Sequence, residues 1–316
     1  MSVALVFSPQ GSQAVGMGRE LAEVSAAARA VFDEADATLS WSVRATCWSG
    51  PEDRLNDTRQ TQPCLLCASV AALRALEERE APEVAMVAGH SVGEYAALVA
   101  SGVLELPAAL RLVARRGELM AAADTDGGMA AVIGLDRESV ERVVHGVARP
   151  TELVVANDNA PGQVVISGRR DALAEAEAAM RAAGARRVLR LPVSGAFHSP
   201  LMASVADGLA EAFEAEEWRD ARMPVISNVT AEPITDAGRI RALLAEQVRS
   251  PVEWVRSVQR MAADGVDTLI ELGSGTALVG MARRIAPELS AGAVHDAASL
   301  DATVGLLAGR AGAPVS

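Results

Sequence analysis

Val84-Ala85-Met86-Val87-Ala88-Gly89-His90-Ser91-Val92-Gly93-Glu94-Tyr95-Ala96-Ala97-Leu98-Val99-Ala100 runs from a short apolar segment, through a glycine-flanked serine, into good helix formers. Residues 84–88 read as a buried parallel strand and residues 94–100 as a helix. Strand, tight turn, then helix is the geometry that lifts a serine hydroxyl onto a sharp exposed corner. The flanking glycines are required because a Cβ at either would clash at the bend. Ser91 then stands at a helix N-terminus, where free N–H groups stabilise an oxyanion. A bare GxSxG arises often by chance. The flanking strand and helix make Ser91 the candidate nucleophile and covalent acyl carrier.

Outward from this elbow, the chain up to residue 128 alternates short apolar strands with alanine-rich helices. Residues 3–7 read as a first core strand, 18–36 and 64–79 as helical stretches. Such alternation indicates an α/β layer with a mostly parallel sheet. The pattern changes at Gly127-Gly128. Strands are expected at 129–134, 153–157, 163–167 and 187–191, with a turn at Asn159-Ala160-Pro161-Gly162. Helices follow Asp136, to about 147, and span 171–183. The order βαββαβ is the split-βαβ, ferredoxin-like unit. Beyond it, 224–229 and 268–272 read as strands, 236–249 as a helix, and 308–316 as a fraying end. The expected fold is therefore α/β. A large α/β-hydrolase-like domain with a parallel sheet (1–128 and 193–316) carries an inserted small ferredoxin-like subdomain (129–192).

Composition narrows the function. The chain has 316 residues, 50% hydrophobic and only 3% aromatic, so the core must be built from Ala, Val and Leu. No apolar run reaches membrane-spanning length and no basic leader precedes an apolar segment, so a cytoplasmic protein is expected. Cys47, Cys64 and Cys67 are odd in number and fit reduced thiols. Cys64-Leu65-Leu66-Cys67 has no second CxxC and reads as two small buried residues, so no metal site is expected. Net charge is −12 with a pI of about 4.9, which disfavours nucleic acid. All 29 basic residues are arginine, and the absence of lysine excludes Schiff-base chemistry.

A serine nucleophile needs a base, and four histidines are available. His90 lies inside the elbow and should point away from Ser91. His145 reads as a solvated residue near a helix end, and His295 as a cap or surface residue. His198 sits in the loop Ser194-Gly195-Ala196-Phe197-His198-Ser199-Pro200, where the two domains would meet, and such junctions favour ligand sites. Spacing alone leaves His198 open between a base and an ordinary loop residue. Gln10-Gly11-Ser12-Gln13 follows the first strand at its C-terminal end, the edge where ligands bind in open α/β sheets. Its N–H groups could complete an oxyanion hole with that of Val92, or the segment could be an ordinary polar turn.

Gln10-Gly11-Ser12-Gln13, GHSVGEY at 89–95, Arg115-Arg116-Gly117, Asn157-Asp158-Asn159-Ala160-Pro161-Gly162-Gln163 and Gly195-Ala196-Phe197-His198-Ser199 occur in that order. Together they resemble the malonyl-CoA:acyl carrier protein transacylase family, which includes acyltransferases serving polyketide synthases. The resemblance extends to Glu271-Leu272-Gly273-Ser274-Gly275 and covers nearly the whole chain. It implies a ping-pong mechanism with Ser91 as nucleophile and His198 as base, with the Gln10 and Val92 N–H groups holding the oxyanion. It further implies that Arg116 grips a malonyl carboxylate, for which a planar guanidinium is suited. Gln247 matches the residue whose backbone carbonyl orients the histidine, so no acidic third member is needed. Asn159, Gln163 and Phe197 match positions near the acyl and pantetheine channel. One departure stands out: Pro9 replaces a glycine beside the oxyanion position and fixes φ near about −65°. The loop is still expected to place the Gln10 N–H.

The implied partners are an acyl-CoA, malonyl-CoA foremost, and an acyl carrier protein, with no cofactor beyond the CoA thioester substrate. The expected state is a monomer. Carrier docking to an acidic chain needs a local basic patch, for which Arg169-Arg170, Arg186-Arg187 with Arg190, and Arg283-Arg284 are available. The alternative within enzymes is an acyl hydrolase that clears stalled groups from carriers. A decayed, non-catalytic scaffold is disfavoured by intact Ser91, His198 and Arg116.

Overall fold

The computed structural model describes residues 2–123, 126–193 and 195–311. Among these residues ten strands form two sheets. β1 (Val3–Phe7), β2 (Val84–Gly89), β7 (Val225–Ile226), β8 (Pro233–Ile234), β9 (Thr268–Leu272) and β10 (Ser290–Val294) make the larger one. Its order is β10-β9-β1-β2-β7-β8, with every pairing parallel except β7 with β8. β1 and β9 are wholly buried, as an apolar run covered by helices on both faces must be.

The register of the central strands positions the site. Phe7 pairs with Gly89 on one side and with Leu272 on the other. Because these strands are parallel, the segments leaving β1, β2 and β9 emerge side by side at one edge of the sheet. Ser8-Pro9-Gln10 is thereby laid against His90-Ser91-Val92. The His90 N–H donates to the Phe7 carbonyl at 3.2 Å and the Ser8 N–H to that of Leu272 at 3.4 Å.

The smaller sheet holds β3 (Gly127–Ile133), β4 (Leu153–Ala160), β5 (Gln163–Arg169) and β6 (Arg187–Arg190) in the order β4-β5-β3-β6, all antiparallel. Helices Arg137–Val147 and Arg170–Ala182 pack on one face around Val140, Val144, Leu173 and Met180. This is the ferredoxin-like βαββαβ arrangement expected from the sequence. The two sheets are joined along a seam. Asn157 of β4 forms a parallel bridge with Val252, whose N–H donates to the Ala156 carbonyl at 2.9 Å and whose carbonyl accepts from Asp158 at 3.0 Å. Arg137 clamps the same seam through Glu253, at 2.9 Å from its Nη2.

Several boundaries differ from expectation. The stretch 18–36 is two helices, Arg19–Val24 and Ala26–Thr38, broken at Ser25, whose hydroxyl caps the second by accepting from the Ala28 N–H. The helix expected from 64 begins at Thr58, capped by Asp57. Its first turn lacks apolar periodicity, so the start is hidden. Cys64 and Cys67 thus lie inside this helix, buried and free, like Cys47. The turn expected at 159–162 is confined to Pro161 and Gly162, because β4 continues through Ala160. The strand expected at 224–229 is only Val225–Ile226. Ser227 and Asn228 leave the ladder instead. Residues 308–311 continue the helix Ala297–Ala311, and 312–316 lie outside the described residues, as does Ser194. Among the described residues no helix is long and apolar enough to cross a membrane.

Candidate active site

Ser91 occupies the corner between β2 and the helix Gly93–Ala100 with φ of 54°, a left-handed conformation that non-glycine residues adopt at a cost. The need for both glycines is geometric. A Cβ on Gly89 would come within 2.0 Å of the Gly93 carbonyl, and one on Gly93 within 2.2 Å of the Phe7 oxygen. The strained corner is also tied down. The Ser91 N–H donates to Asn228 Oδ1 at 2.7 Å, and Asn228 Nδ2 donates to the Gly89 carbonyl at 2.6 Å. The Ser91 carbonyl accepts from Gln247 Nε2 at 2.9 Å.

His198 is brought to the serine from the far side of the small sheet. Its Nε2 lies 2.8 Å from Ser91 Oγ. Its Nδ1 faces the carbonyls of Gln247 at 2.9 Å and Ser250 at 3.2 Å. Carbonyls only accept, so Nδ1 carries the proton and Nε2 presents its lone pair to the serine hydroxyl. Among the described residues no carboxylate bonds the ring. The His198 N–H donates to the Val248 carbonyl at 2.9 Å, so one short segment, 247–250, fixes both backbone and ring. Burial lowers the His198 pKa to about 3, helped by the positive charge of Arg116. The neutral, basic form therefore persists well below the usual histidine range. Acylation of Ser91 from a CoA thioester whose acyl group is uncharged should hold its neutral-pH rate down to about pH 5, where an ordinary histidine would already be protonated. A half-fall near pH 6.5 in a stopped-flow pH series would contradict this.

Arg116, on the helix Leu106–Ala122, is 1% exposed. Nη1 donates to Gln62 Oε1 at 2.7 Å, and Nη2 donates to Gln247 Oε1 at 3.0 Å and to Ser91 Oγ at 3.1 Å. Nε has no acceptor among the described residues. Tyr95 offers its ring 5.9 Å away. A cation taken out of water normally sits against a carboxylate, yet every direct acceptor of Arg116 is neutral. Burial pulls its pKa below the ordinary arginine value, opposed by Tyr95 and Glu94.

Gln10 and Val92 flank the serine as the strand register requires. Val92 is the N-cap of the helix Gly93–Ala100, and neither its N–H nor that of Gln10 has an acceptor among the described residues. The Gln10 side chain reaches Thr58 Oγ1 at 3.4 Å, and Pro9 and Gln10 both line the cavity over Ser91. Pro9 is thus accommodated with Gln10 still on the cavity wall. The cavity, about 290 Å³, is also lined by His90, Asn157, Phe197 and His198. Larger depressions elsewhere on the surface do not contain Ser91.

The remaining candidates are placed as follows. Phe197 is buried on the cavity wall. Asn159 bonds His90 Nε2 at 2.7 Å and does not line the cavity. Gln163 is at the far end of β5, opposite Ile133, where its side-chain Oε1 accepts from Arg284 Nη1 at 2.8 Å. It is not brought to the cavity. His90 points away from Ser91, against Asn159 and the Trp254 ring, and burial lowers its pKa to about 4. His145 is exposed, and His295 lies 3.3 Å from Asp296. Among the described residues no group of three or more His, Cys, Asp or Glu is placed to hold a metal.

Three buried polar residues of the site carry only a faint signal in the sequence. Gln62 directly precedes the apolar helical run from Pro63, Glu94 interrupts an otherwise apolar stretch from Val92 to Ala100, and Asn228 closely follows a short apolar strand at the C-terminal sheet edge.

A family description, "Acyl transferase domain", matches residues 4–299. The chain belongs to this acyl transferase family. The malonyl CoA-acyl carrier protein transacylase of Salmonella typhimurium is 43% identical over 303 residues, 95% of this chain and 98% of that protein. The protein of the same name from Bacillus subtilis is 40% identical, with 96% of each chain covered. Among solved structures of acyl transferases, an acyl carrier protein S-malonyltransferase from Vibrio cholerae superposes with a TM-score of 0.93 at 43% identity, covering 96% of this chain and all 100% of that one. A malonyl-transacylase in complex with its type II PKS acyl-carrier protein gives 0.93 at 42% identity, over 97% of this chain and 100% of that one.

Proposed function

We propose that this acyl transferase moves a malonyl group from CoA, through an ester on Ser91, to the phosphopantetheine thiol of an acyl carrier protein. One observation carries the choice of acyl group. Arg116 is a buried guanidinium that bonds no carboxylate among the described residues, and its Nη2 stands 3.1 Å from the Ser91 hydroxyl oxygen. A carboxylated acyl group supplies the missing charge while its thioester carbon lies at the serine.

In the first half-reaction Ser91 Oγ attacks the thioester carbonyl and its proton passes to His198 Nε2. The oxyanion is held by the Gln10 and Val92 N–H groups. Collapse breaks the C–S bond, and the CoA thiolate takes the proton from His198. In the second, the carrier's thiol gives its proton to His198 and attacks the malonyl ester, and Ser91 recovers the proton as it leaves. Asn159 acts only through His90, and Phe197 shapes the acyl channel. Hydrolysis of acyl groups from carriers gains no such support, since removal of simple acyl chains has no use for a buried guanidinium, and the matched relatives carry transacylase names.

The chain divides into a large catalytic domain, 1–128 and 193–316, and an inserted small ferredoxin-like subdomain, 129–192, a reading supported by the separate antiparallel sheet of β3 to β6. We read the protein as a monomer of the cytoplasm, and three buried free thiols support the reducing compartment. Incubation with malonyl-CoA and a holo carrier protein, followed by mass spectrometry, should show malonyl on Ser91 and then on the carrier. Release of free malonate faster than carrier loading would replace transfer by hydrolysis.

A further inference from the structure

Glu94 sits one residue into the helix that follows the nucleophile, is 3% exposed, and has no part in the steps above. Its Oε2 accepts from Gln247 Nε2 at 2.6 Å, and the Asn228 backbone N–H also donates to it. Gln247 Nε2 has a second acceptor, the Ser91 carbonyl, at 2.9 Å. Both hydrogens of that amide are therefore committed to groups that only accept. The amide cannot flip without turning its oxygen onto two oxygens and its hydrogens onto the Arg116 guanidinium. Its Oε1 is thus compelled to face Arg116 Nη2, 3.0 Å away.

We propose that Glu94 is a positioning residue for acyl-group selection, which aims Arg116 at the substrate carboxylate by fixing the orientation of the Gln247 side-chain amide. Gln247 then serves both halves of the site. Its backbone carbonyl orients His198, and its side chain, locked by Glu94, orients Arg116. Burial pushes the Glu94 carboxyl up to about 7, opposed by its bonds to Gln247 and Asn228 and by Arg116, so a polar group is kept in a costly place where its acceptor oxygen holds the amide. A methyl group or a longer apolar residue would pack there more cheaply.

The inference rests on the reading of Arg116 as the ligand of the malonyl carboxylate, and the test separates the two. Purified Glu94→Ala, Glu94→Gln, Gln247→Met and Arg116→Ala are compared with wild type for kcat/KM of Ser91 loading from malonyl-CoA and from acetyl-CoA, with thermal unfolding as a control. Glu94→Ala should lower the malonyl-to-acetyl ratio about tenfold or more, the scale of one hydrogen bond to a charged group. Glu94→Gln, whose amide oxygen can still accept from Gln247, should recover most of the ratio. Gln247→Met should lose the ratio alone, and adding Glu94→Ala to it should cost nothing further. A merely structural role would lower both acyl groups equally, and that result overturns the proposal. Should Glu94→Ala fail to fold, the ratio of Gln247→Met against wild type decides, and an unchanged ratio is equally fatal. If Arg116→Ala loses the preference and Glu94→Ala keeps it, Glu94 alone is dismissed. If Arg116→Ala keeps the preference, the carboxylate reading falls, and Glu94 with it.

Discussion

Ser91→Ala is expected to abolish the acyl-enzyme and to cut malonyl transfer by about 10⁴-fold or more, the scale on which covalent acyl transfer depends on its nucleophile. His198→Ala should cost nearly as much, because the hydroxyl 2.8 Å from Nε2 has no other base in reach. Asn159 holds His90, and His145 and His295 lie elsewhere. The double variant should be little worse than either single one, since nucleophile and base act as a unit. Quench-flow detection of malonyl-Ser91 measures all three. A His198→Ala enzyme that still acylated within tenfold of wild type would remove the dyad from the mechanism.

Arg116→Ala should lose about 10²- to 10³-fold in kcat/KM for malonyl-CoA while acetyl-CoA is unharmed or improved, so that the acyl preference inverts. The magnitude follows from a charge-assisted, bidentate contact in a site shielded from water. The variant should not be less stable in proportion. It removes a desolvated cation whose only direct acceptors are neutral, leaving the Gln62 and Gln247 amides to re-pair. It should also raise the pKa of His198, since Arg116 is the second cause of its depression after burial. The acid limb of activity would then move to higher pH. Competition between the two acyl-CoAs, followed over a pH series, checks all three expectations. Equal losses for malonyl and acetyl would mean that Arg116 serves the serine and not the substrate.

The elbow was legible in the sequence because its constraints are local. Gly89 and Gly93 are dictated by clashes of 2.0 and 2.2 Å within a few residues of Ser91 and with β1. The ferredoxin-like unit was legible through alternation of period, although its strand ends were not. Asn159 and Ala160 look like turn residues, yet they extend β4 because its ladder with β5 runs on to Asp158 opposite Val164 and Ala160 opposite Gln163. β10 escaped because Ser290-Ala291-Gly292-Ala293-Val294 is an edge strand of small residues, with little apolar signal. Glu94, Gln62 and Asn228 escaped for a different reason. A polar residue in an apolar helix has meaning only when its partners are known, and Gln247 lies 153 residues from Glu94. The strongest site assignments therefore came from family resemblance, while the wiring behind them came from the coordinates.

The imidazole of His198 leans on two peptide carbonyls where many serine enzymes place an acid. No carboxylate among the described residues bonds the imidazolium, and Arg116 repels it, so the protonated ring is a strong acid with a short life. It surrenders its proton to the first base that forms. Among leaving groups, a thiolate meets that condition with little help, since an ordinary thiol ionises near about pH 8.5, far more readily than an alcohol or an amine. The site is thereby matched to exchange between thioesters and a serine ester, in which each direction mirrors the other. Which thiol arrives and which departs is left to concentration and docking.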